Sequence, residues 1–245
     1  MGYLDDAVGI SKLNQSNLWV IYGKSTSGKT ELLSTFPKKL LYLRVGDDGS
    51  NTIRDKKGIK AIEVTELSQL LDIAQELKKD STYTTVAVDT FGLVVNEWIN
   101  QNAIQKKRRV SQQMWGDIKT DTEELIKVFH TLAKDKIVVL TCHEVADSIE
   151  GFEDEITPDI RPNVSKGART YLEAMANYGI HTTVVSVDKE KPDGSLTPVT
   201  RYAAHIATNP YYWVKLQKPS TIKVPKLVYN PTYDKIIKLM KGDKS

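Results

Sequence analysis

Residues 23–30 read G-K-S-T-S-G-K-T, which matches the phosphate-loop pattern G-x-x-x-x-G-K-[ST] at every fixed position. The apolar run Leu18–Tyr22 precedes this loop, and Leu32, Leu33 and Phe36 follow it, so we predict a strand before the motif and a helix after it. Between a strand and a helix, such a loop wraps phosphates with its backbone N–H groups. The motif therefore predicts a nucleotide-binding α/β fold, and a Gly/Ser-rich surface loop is the weaker alternative.

Every residue of the loop is a candidate contact to the nucleotide: Gly23, Lys24, Ser25, Thr26, Ser27, Gly28, Lys29 and Thr30. The two glycines let the backbone approach the phosphates. We expect Lys29 to contact the β- and γ-phosphates and the Thr30 hydroxyl to bind Mg²⁺. The predicted cofactors are therefore ATP and Mg²⁺.

The composition is that of one α/β domain. The chain has 245 residues, 40% of them hydrophobic, and a formal net charge of +3, which is too small to indicate nucleic-acid binding by itself. The single cysteine, Cys142, excludes a disulfide framework, and its apolar neighbours predict a core position in a reducing compartment. We see no export signal and no bilayer-spanning run, so the expected location is the cytoplasm, with no membrane partner.

Apolar runs and helical periodicity alternate through the first 146 residues. The predicted buried strands are Leu40–Leu43, Thr84–Asp89 and Ile137–Thr141, and Ile59–Val64 is a further candidate strand. The predicted helices lie at 67–79, with Thr65 as the cap, at 91–103 and at 125–133. This alternation predicts a mostly parallel sheet covered by helices.

The pattern changes after Ala146. Residues 147–169 are acidic and then rich in Pro, Asn and Gly, which predicts a long loop. Strands at 180–187 and 197–206, joined by the turn at 191–194, predict an antiparallel hairpin that extends the sheet. The pair Asn230-Pro231 predicts the start of a basic C-terminal helix over 230–241.

Three strand ends carry polar groups that fit the chemistry of a nucleotide site. Asp89 ends a buried strand, where a carboxylate can hold the Mg²⁺ shell, and a turn aspartate is the alternative. Asp47 and Asp48 follow another strand, and we narrowly prefer Asp48 as the base that polarises the attacking water, against a solvated turn. Thr141 and His143 end a third strand, where they can sense the γ-phosphate or be structural.

Together these features resemble the phage-encoded RecA-like ATPases, some of which are single-strand annealing proteins in recombination. The segments that carry the resemblance are the phosphate loop, Leu40–Gly49, Val86–Thr90, Gln113–Gly116 and Val138–His143. The resemblance covers roughly 18–218 and implies a single RecA-like domain over 1–245. In that family the strand-end acidic residue is commonly Glu, whereas Asp48 is one methylene shorter.

The resemblance also implies two DNA-facing segments. The first holds Lys106, Lys107, Arg108 and Arg109, with Trp115 nearby, and cations beside an aromatic suit single-stranded DNA. A solvated helix end with a core Trp115 is the alternative. In the second segment, only the part with Arg161, Lys166 and Arg169 has the charge to bind phosphate.

RecA-like proteins complete the ATP site with a cation from the neighbouring subunit. Lys215 and Lys218 match that placement, and surface lysines are the alternative. The resemblance therefore implies a homo-oligomer that hydrolyses ATP, binds single-stranded DNA and promotes annealing, with a single-stranded-DNA-binding protein as a further possible partner. A nucleotide-dependent assembly factor, such as a helicase loader, is the alternative function, and a small-molecule P-loop kinase is a weaker one.

Overall fold

The computed structural model describes residues 16–46, 49–150, 156–192 and 194–243. The strands in this part of the chain are β1 (Leu18–Gly23), β2 (Leu40–Val45), β3 (Ile59–Val64), β4 (Thr85–Asp89), β5 (Ile137–Cys142), β6 (Glu144–Glu150), β7 (Ile156–Pro162), β8 (Tyr178–Glu190), β9 (Leu196–His205), β10 (Lys215–Leu216) and β11 (Leu227–Tyr229). The helices are α1 (Lys29–Leu33), α2 (Ser68–Leu77), α3 (Val94–Ile99), α4 (Gln112–Leu132), α5 (Lys166–Met175) and α6 (Tyr233–Lys241).

Nine of the described strands form one sheet in the order β11-β9-β8-β1-β5-β4-β2-β3, with β10 paired to β8. The core from β8 to β3 is parallel, whereas β9, β10 and β11 join it antiparallel. Strand β5 lies between β1 and β4. The phosphate loop follows β1 and Asp89 ends β4, so these two groups flank the carboxyl end of β5. Parallel strands thus bring three polar strand ends to one edge, where ligands bind in α/β sheets.

Helices cover both faces of the sheet, because its central strands are apolar on both sides. Side chains of α2, α4 and α5 pack on one face, with Leu70, Phe129 and Leu172 fully buried. Helices α1 and α6 cover the other face through residues such as Leu33 and Ile236. The predicted α/β P-loop fold with its antiparallel hairpin extension is confirmed, and Cys142 is buried as expected. Burial raises the pKa of its thiol to about 12.

The prediction of a loop over 147–169 is wrong for the residues that the structure describes. Strands β6 and β7 pair antiparallel as a separate two-stranded sheet, and α5 begins at Lys166. Two prolines hid this hairpin in the sequence, because proline is a signal against a strand. In the structure Pro158 lies opposite Ser148 and Pro162 lies opposite Glu144. Proline is tolerated there because both strands of a two-stranded ribbon are edge strands.

Helix α4 begins at Gln112, well before the predicted start at 125, and two other predicted helix starts are also wrong. Helix α2 begins at Ser68, and the backbone N–H of Thr65 donates instead to the side-chain oxygen of Gln69 at 2.9 Å. Helix α6 begins after Thr232, whose hydroxyl accepts from the N–H of Lys235. Asn230 has φ +43°, a left-handed conformation that cannot begin a right-handed helix. Among the described helices, none is long and apolar enough to cross a membrane.

Candidate nucleotide site

The phosphate loop connects β1 to α1 and is anchored on the neighbouring strand β8. The Ser27 and Thr182 hydroxyls lie 2.7 Å apart. A Cβ on Gly23 would lie 2.3 Å from the Thr182 carbonyl oxygen, which is closer than any side chain allows. Gly28 has φ +90°, in the left-handed region that favours glycine. Both glycines of the motif are therefore required by the backbone itself.

Lys29 is a buried cation in this loop. Its side chain is 7% exposed, and Nζ donates to the carbonyl oxygens of Gly23 at 3.0 Å and of Lys24 at 2.7 Å. Burial lowers the pKa of Lys29, and the nearby Asp89 carboxylate opposes this effect. A phosphate beside the ammonium group would supply the negative charge that a buried lysine needs.

Asp89 is the centre of a buried hydrogen-bond network. It is 1% exposed, and its Oδ2 accepts from the Thr30 hydroxyl at 3.0 Å and from the Tyr42 hydroxyl at 2.8 Å. Its Oδ1 accepts from the hydroxyls of Thr90, at 3.0 Å, and Thr141. Four hydroxyl donors hold the carboxylate in one orientation, because each fixes one lone-pair direction.

These residues fit a Mg²⁺ ion bound with a nucleotide. Mg²⁺ prefers hard oxygen ligands and is usually held by few protein groups together with phosphates and water. The Thr30 oxygen retains lone pairs after donating its proton to Asp89, so it can bind the ion directly while Asp89 orients it. When bound, the ion neutralises charge on the phosphates. Thr30 and Asp89, each predicted separately as a metal residue, are in direct contact, and their role at the metal stays a prediction.

A cavity of about 310 Å³ opens over the loop. Its lining includes residues of the phosphate loop, the strand ends and β9: Ser25, Thr26, Gly28, Lys29, Thr30, Glu31, Gly49, Thr52, Asp89, Thr90, His143 and Tyr202. His143 therefore faces the site, as its strand-end position predicts. Burial and the charge of Lys29 lower the pKa of this imidazole, against the opposing effect of Asp89, so His143 is neutral near pH 7 and can accept or donate one hydrogen bond.

The hydrolytic carboxylate predicted at Asp48, or at Asp47, lies outside the described residues. The next residue in the chain, Gly49, lines the cavity, and a Cβ on it would lie 3.5 Å from the Thr30 hydroxyl oxygen. The chain therefore passes beside the candidate Mg²⁺ ligand immediately after this pair. The choice between the two aspartates stays a prediction.

Three residues of the site were not predicted from the sequence. Tyr42 and Thr90 donate to Asp89, and Tyr202 lines the cavity from β9. A tyrosine inside the buried strand β2 was a usable signal, because a buried phenol needs a hydrogen-bond partner. Tyr202 gave no such signal, since it lies on β9, far along the chain from the phosphate loop.

The basic cluster, which we define as Lys106–Arg109, lies on the surface between α3 and α4. All four residues are exposed, and Lys106 donates to the side-chain oxygen of Asn102 at 3.0 Å. Trp115, near the start of α4, is 50% exposed, so the alternative of a core tryptophan is wrong. Ile104 and Val110 flank the cluster and are 65% and 39% exposed.

The cluster and the phosphate loop lie toward the same edge of the sheet. Helix α4 runs back to the amino end of β5 and has 21 residues, which corresponds to about 31 Å of helix. Strand β5 has only 6 residues, or about 20 Å. The first turns of α4, with Trp115, therefore extend beyond the carboxyl edge of the sheet, and the preceding cluster lies there too.

The arginines of the second predicted DNA-facing segment are less available to bind phosphate. Arg161 forms ion pairs with Asp159 at 2.6 Å and with Glu173 at 3.4 Å, and Arg169 pairs with Asp147. Both guanidinium groups thus already have carboxylate partners. Lys166 is exposed at the start of α5.

The two lysines predicted to act in a neighbouring subunit lie away from this chain's own cavity. Lys215 donates to the carbonyls of Glu173, at 3.0 Å, and Ala174, at 2.9 Å, at the C-terminal end of α5. Lys218 donates to the carbonyl of Ile222. Both ammonium groups thus donate to backbone carbonyls of the same chain, and a role in a partner's site stays a prediction.

Comparison with known proteins places this geometry in a family. A family model described as an AAA domain matches residues 16–211, a span that includes the phosphate loop, Asp89, His143 and Tyr202. The search of curated proteins found no match. The matched span covers most of the chain and carries the phosphate loop in the structural setting that nucleotide binding requires. The chain therefore belongs to the AAA domain family of P-loop ATPases.

Proposed function

We propose that this protein is a Mg²⁺-dependent ATPase that binds single-stranded DNA as a homo-oligomer and promotes annealing or strand pairing. The proposal depends on the exposure of the basic cluster and of Trp115, which the lengths of α4 and β5 place beyond the sheet edge that carries the phosphate loop. A ligand at this edge can respond to nucleotide because it shares the edge with the ATP site.

The chemistry of the cluster suits a flexible polyanion. Four adjacent exposed cations can neutralise successive phosphates, and the exposed Trp115 offers a flat face on which a base can stack. Single-stranded DNA presents both groups together, whereas duplex DNA keeps its bases stacked inside. In the described segments no carboxylate forms an ion pair with a residue of the basic cluster.

In the ATP site, Lys29 would contact the β- and γ-phosphates, and Thr30 and Asp89 would hold the metal. His143 would sense the γ-phosphate, and Asp48 would polarise the attacking water. His143 is followed directly by Glu144, the first residue of the β6–β7 hairpin. A contact between His143 and the γ-phosphate would therefore act on the first residues of the β6–β7 hairpin, which starts at the same edge of the sheet.

An assembly factor of the helicase-loader type is the second candidate. Ile104 and Val110 favour it, because exposed apolar side chains beside cations also suit a protein partner. In that case, ATP turnover would respond to the partner protein, and a single-stranded-DNA-binding protein would not be needed.

The test is the rate of ATP turnover with and without single-stranded DNA, at fixed Mg²⁺ and low salt. Stimulation by single-stranded but not duplex DNA is the result expected for the first function. A rate that DNA does not change, with no DNA binding measured by fluorescence anisotropy, would instead favour the assembly factor. Lys29→Ala is the matched control, since it should remove turnover under both conditions.

A further inference from the structure

A second cavity, of about 300 Å³, lies directly beside the phosphate cavity. The two cavities share Gly28, Glu31 and Tyr202. The remaining lining comes from α1, from the turn that follows it and from the segment before α6: Leu32, Thr35, Asn230, Pro231 and Thr232. Because these walls are shared, a molecule whose phosphates lie on the loop can extend into this second space.

The Tyr202 ring packs directly on the phosphate loop. A Cβ on Gly28 would lie 2.8 Å from Cδ1 of this ring, so only glycine leaves room for the tyrosine. Two residues further along β9, Ala204 packs in the core beneath α1 and α6, and alternate residues of a strand share a face. Tyr202 is nevertheless 43% exposed, and the ring lines both cavities.

Asn230 is held beside this ring by the backbone. Its N–H donates to the Tyr202 carbonyl at 2.7 Å, and its φ of +43° is a conformation that asparagine tolerates better than most residues. Pro231 follows and is buried. The segment is therefore anchored to β9, and Asn230 lines the second cavity.

We propose that the second cavity binds the adenine base of ATP, with Tyr202 stacking on the base and Asn230 reading its edge. This inference rests on the proposed nucleotide site and adds the residues that select the base. An aromatic face stacks on any base. A side-chain amide offers one acceptor and one donor, which match the N6 amino group and N7 of adenine, whereas O6 and N7 of guanine are both acceptors.

The first test compares Tyr202→Ala with the unchanged protein for Mg·ATP and for inorganic tripolyphosphate. Loss of the stacking face should weaken ATP binding by about 5- to 100-fold and leave the affinity for tripolyphosphate unchanged. Tyr202→Phe should retain ATP affinity, because it keeps the ring. Tyr211→Ala is the control, since Tyr211 is 46% exposed and lines neither cavity.

The second test is the ratio of ATP to GTP affinity in Asn230→Asp. This substitution keeps the shape and the tolerated backbone but replaces the N–H donor with an acceptor. A carboxylate still accepts from the N6 amino group of adenine but faces two acceptors, O6 and N7, on guanine, so GTP binding should weaken more than ATP binding and the preference for ATP should rise. Unchanged ATP affinity in Tyr202→Ala, an equal loss of tripolyphosphate binding, or an unchanged ratio in Asn230→Asp would overturn the inference. Lys29→Ala separates the two proposals: the nucleotide site itself fails if this variant binds both ATP and tripolyphosphate normally.

Discussion

The Thr30 hydroxyl donates a 3.0 Å hydrogen bond to Oδ2 of Asp89, which joins the first turn of α1 to the end of β4. These residues are 59 positions apart in the chain. Their contact brings together the two oxygen-bearing groups that a nucleotide-bound Mg²⁺ requires. Because Tyr42, Thr90 and Thr141 also donate to Asp89, the carboxylate is oriented before it acts on a ligand.

Lys29→Ala should abolish ATP binding and turnover while the fold remains intact. The lysine supplies positive charge to the phosphates, and burial without a bound anion already disfavours that charge, as its lowered pKa indicates. Titration calorimetry with Mg·ATP and circular dichroism together check this result. Lys57→Ala is the matched control, because Lys57 is exposed and does not line the phosphate cavity. Normal ATP binding by a folded Lys29→Ala protein would remove the central assignment.

Asp89→Asn should weaken Mg²⁺-dependent ATP binding and hydrolysis. The amide lacks the negative charge and has only one acceptor oxygen for four hydroxyl donors, so we also expect a loss of stability of about 1–3 kcal/mol. Tyr42→Phe separates the two effects, since it removes one donor and leaves the carboxylate. A Mg²⁺ titration of ATPase activity measures the first effect, and urea unfolding measures the second. An unaltered Mg²⁺ titration in Asp89→Asn would assign the metal to another residue.

Asp48→Asn should retain Mg·ATP binding but lose turnover, because an amide preserves the shape of the side chain and cannot accept a proton. Asp47→Asn is the control within the pair. Single-turnover hydrolysis, measured beside equilibrium binding of ATP, distinguishes the two variants. Loss of turnover in Asp47→Asn alone would reverse the assignment.

The protein should lose stability as the pH falls from 6.5 toward 5. Burial lowers the pKa values of all four histidines: His130, His143, His181 and His205. Below about pH 6.5 the unfolded chain therefore binds more protons than the folded one, and the free energy of unfolding decreases. Well above that pH these histidines are neutral in both states, so their titration no longer changes the free energy of unfolding.

Urea unfolding at pH 7.5 and pH 5.5 checks this pH dependence. His181 is only 3% exposed, so His181→Gln should reduce the difference between the two pH values, whatever its effect on stability at pH 7.5. Equal or greater stability at pH 5.5 would contradict the expectation.

Replacing Lys106, Lys107, Arg108 and Arg109 by Ala should weaken binding to every single-stranded sequence alike. Each lost phosphate contact should remove about 0.7 from the slope of log affinity against log salt. ATP binding should survive, because none of the four lines the phosphate cavity. The same salt titration on Trp115→Ala should show weaker binding with an unchanged slope. If neither affinity nor slope changes in the quadruple variant, the basic cluster is only a solvated surface.

The sequence by itself determined the phosphate loop and the strands of the parallel core. These features follow from local patterns: a fixed glycine and lysine spacing, and apolar runs that only a sheet buried on both faces can hold. The bounds of β3, at Ile59–Val64, agree with the prediction residue for residue. Local pattern failed for β6 and β7, because prolines that exclude a central strand are allowed in a ribbon whose strands are both edges.

Only the tertiary structure decided which distant side chains complete the site. Tyr42 reaches Asp89 because β2 and β4 are paired neighbours. Tyr202 reaches Gly28 because β9 follows β8, which lies beside β1. No local pattern records these contacts, since they depend on strand order rather than on spacing along the chain. Chain topology therefore assembled the side-chain donors around Asp89 and the aromatic wall beside the loop, whereas the sequence motif specified only the loop itself.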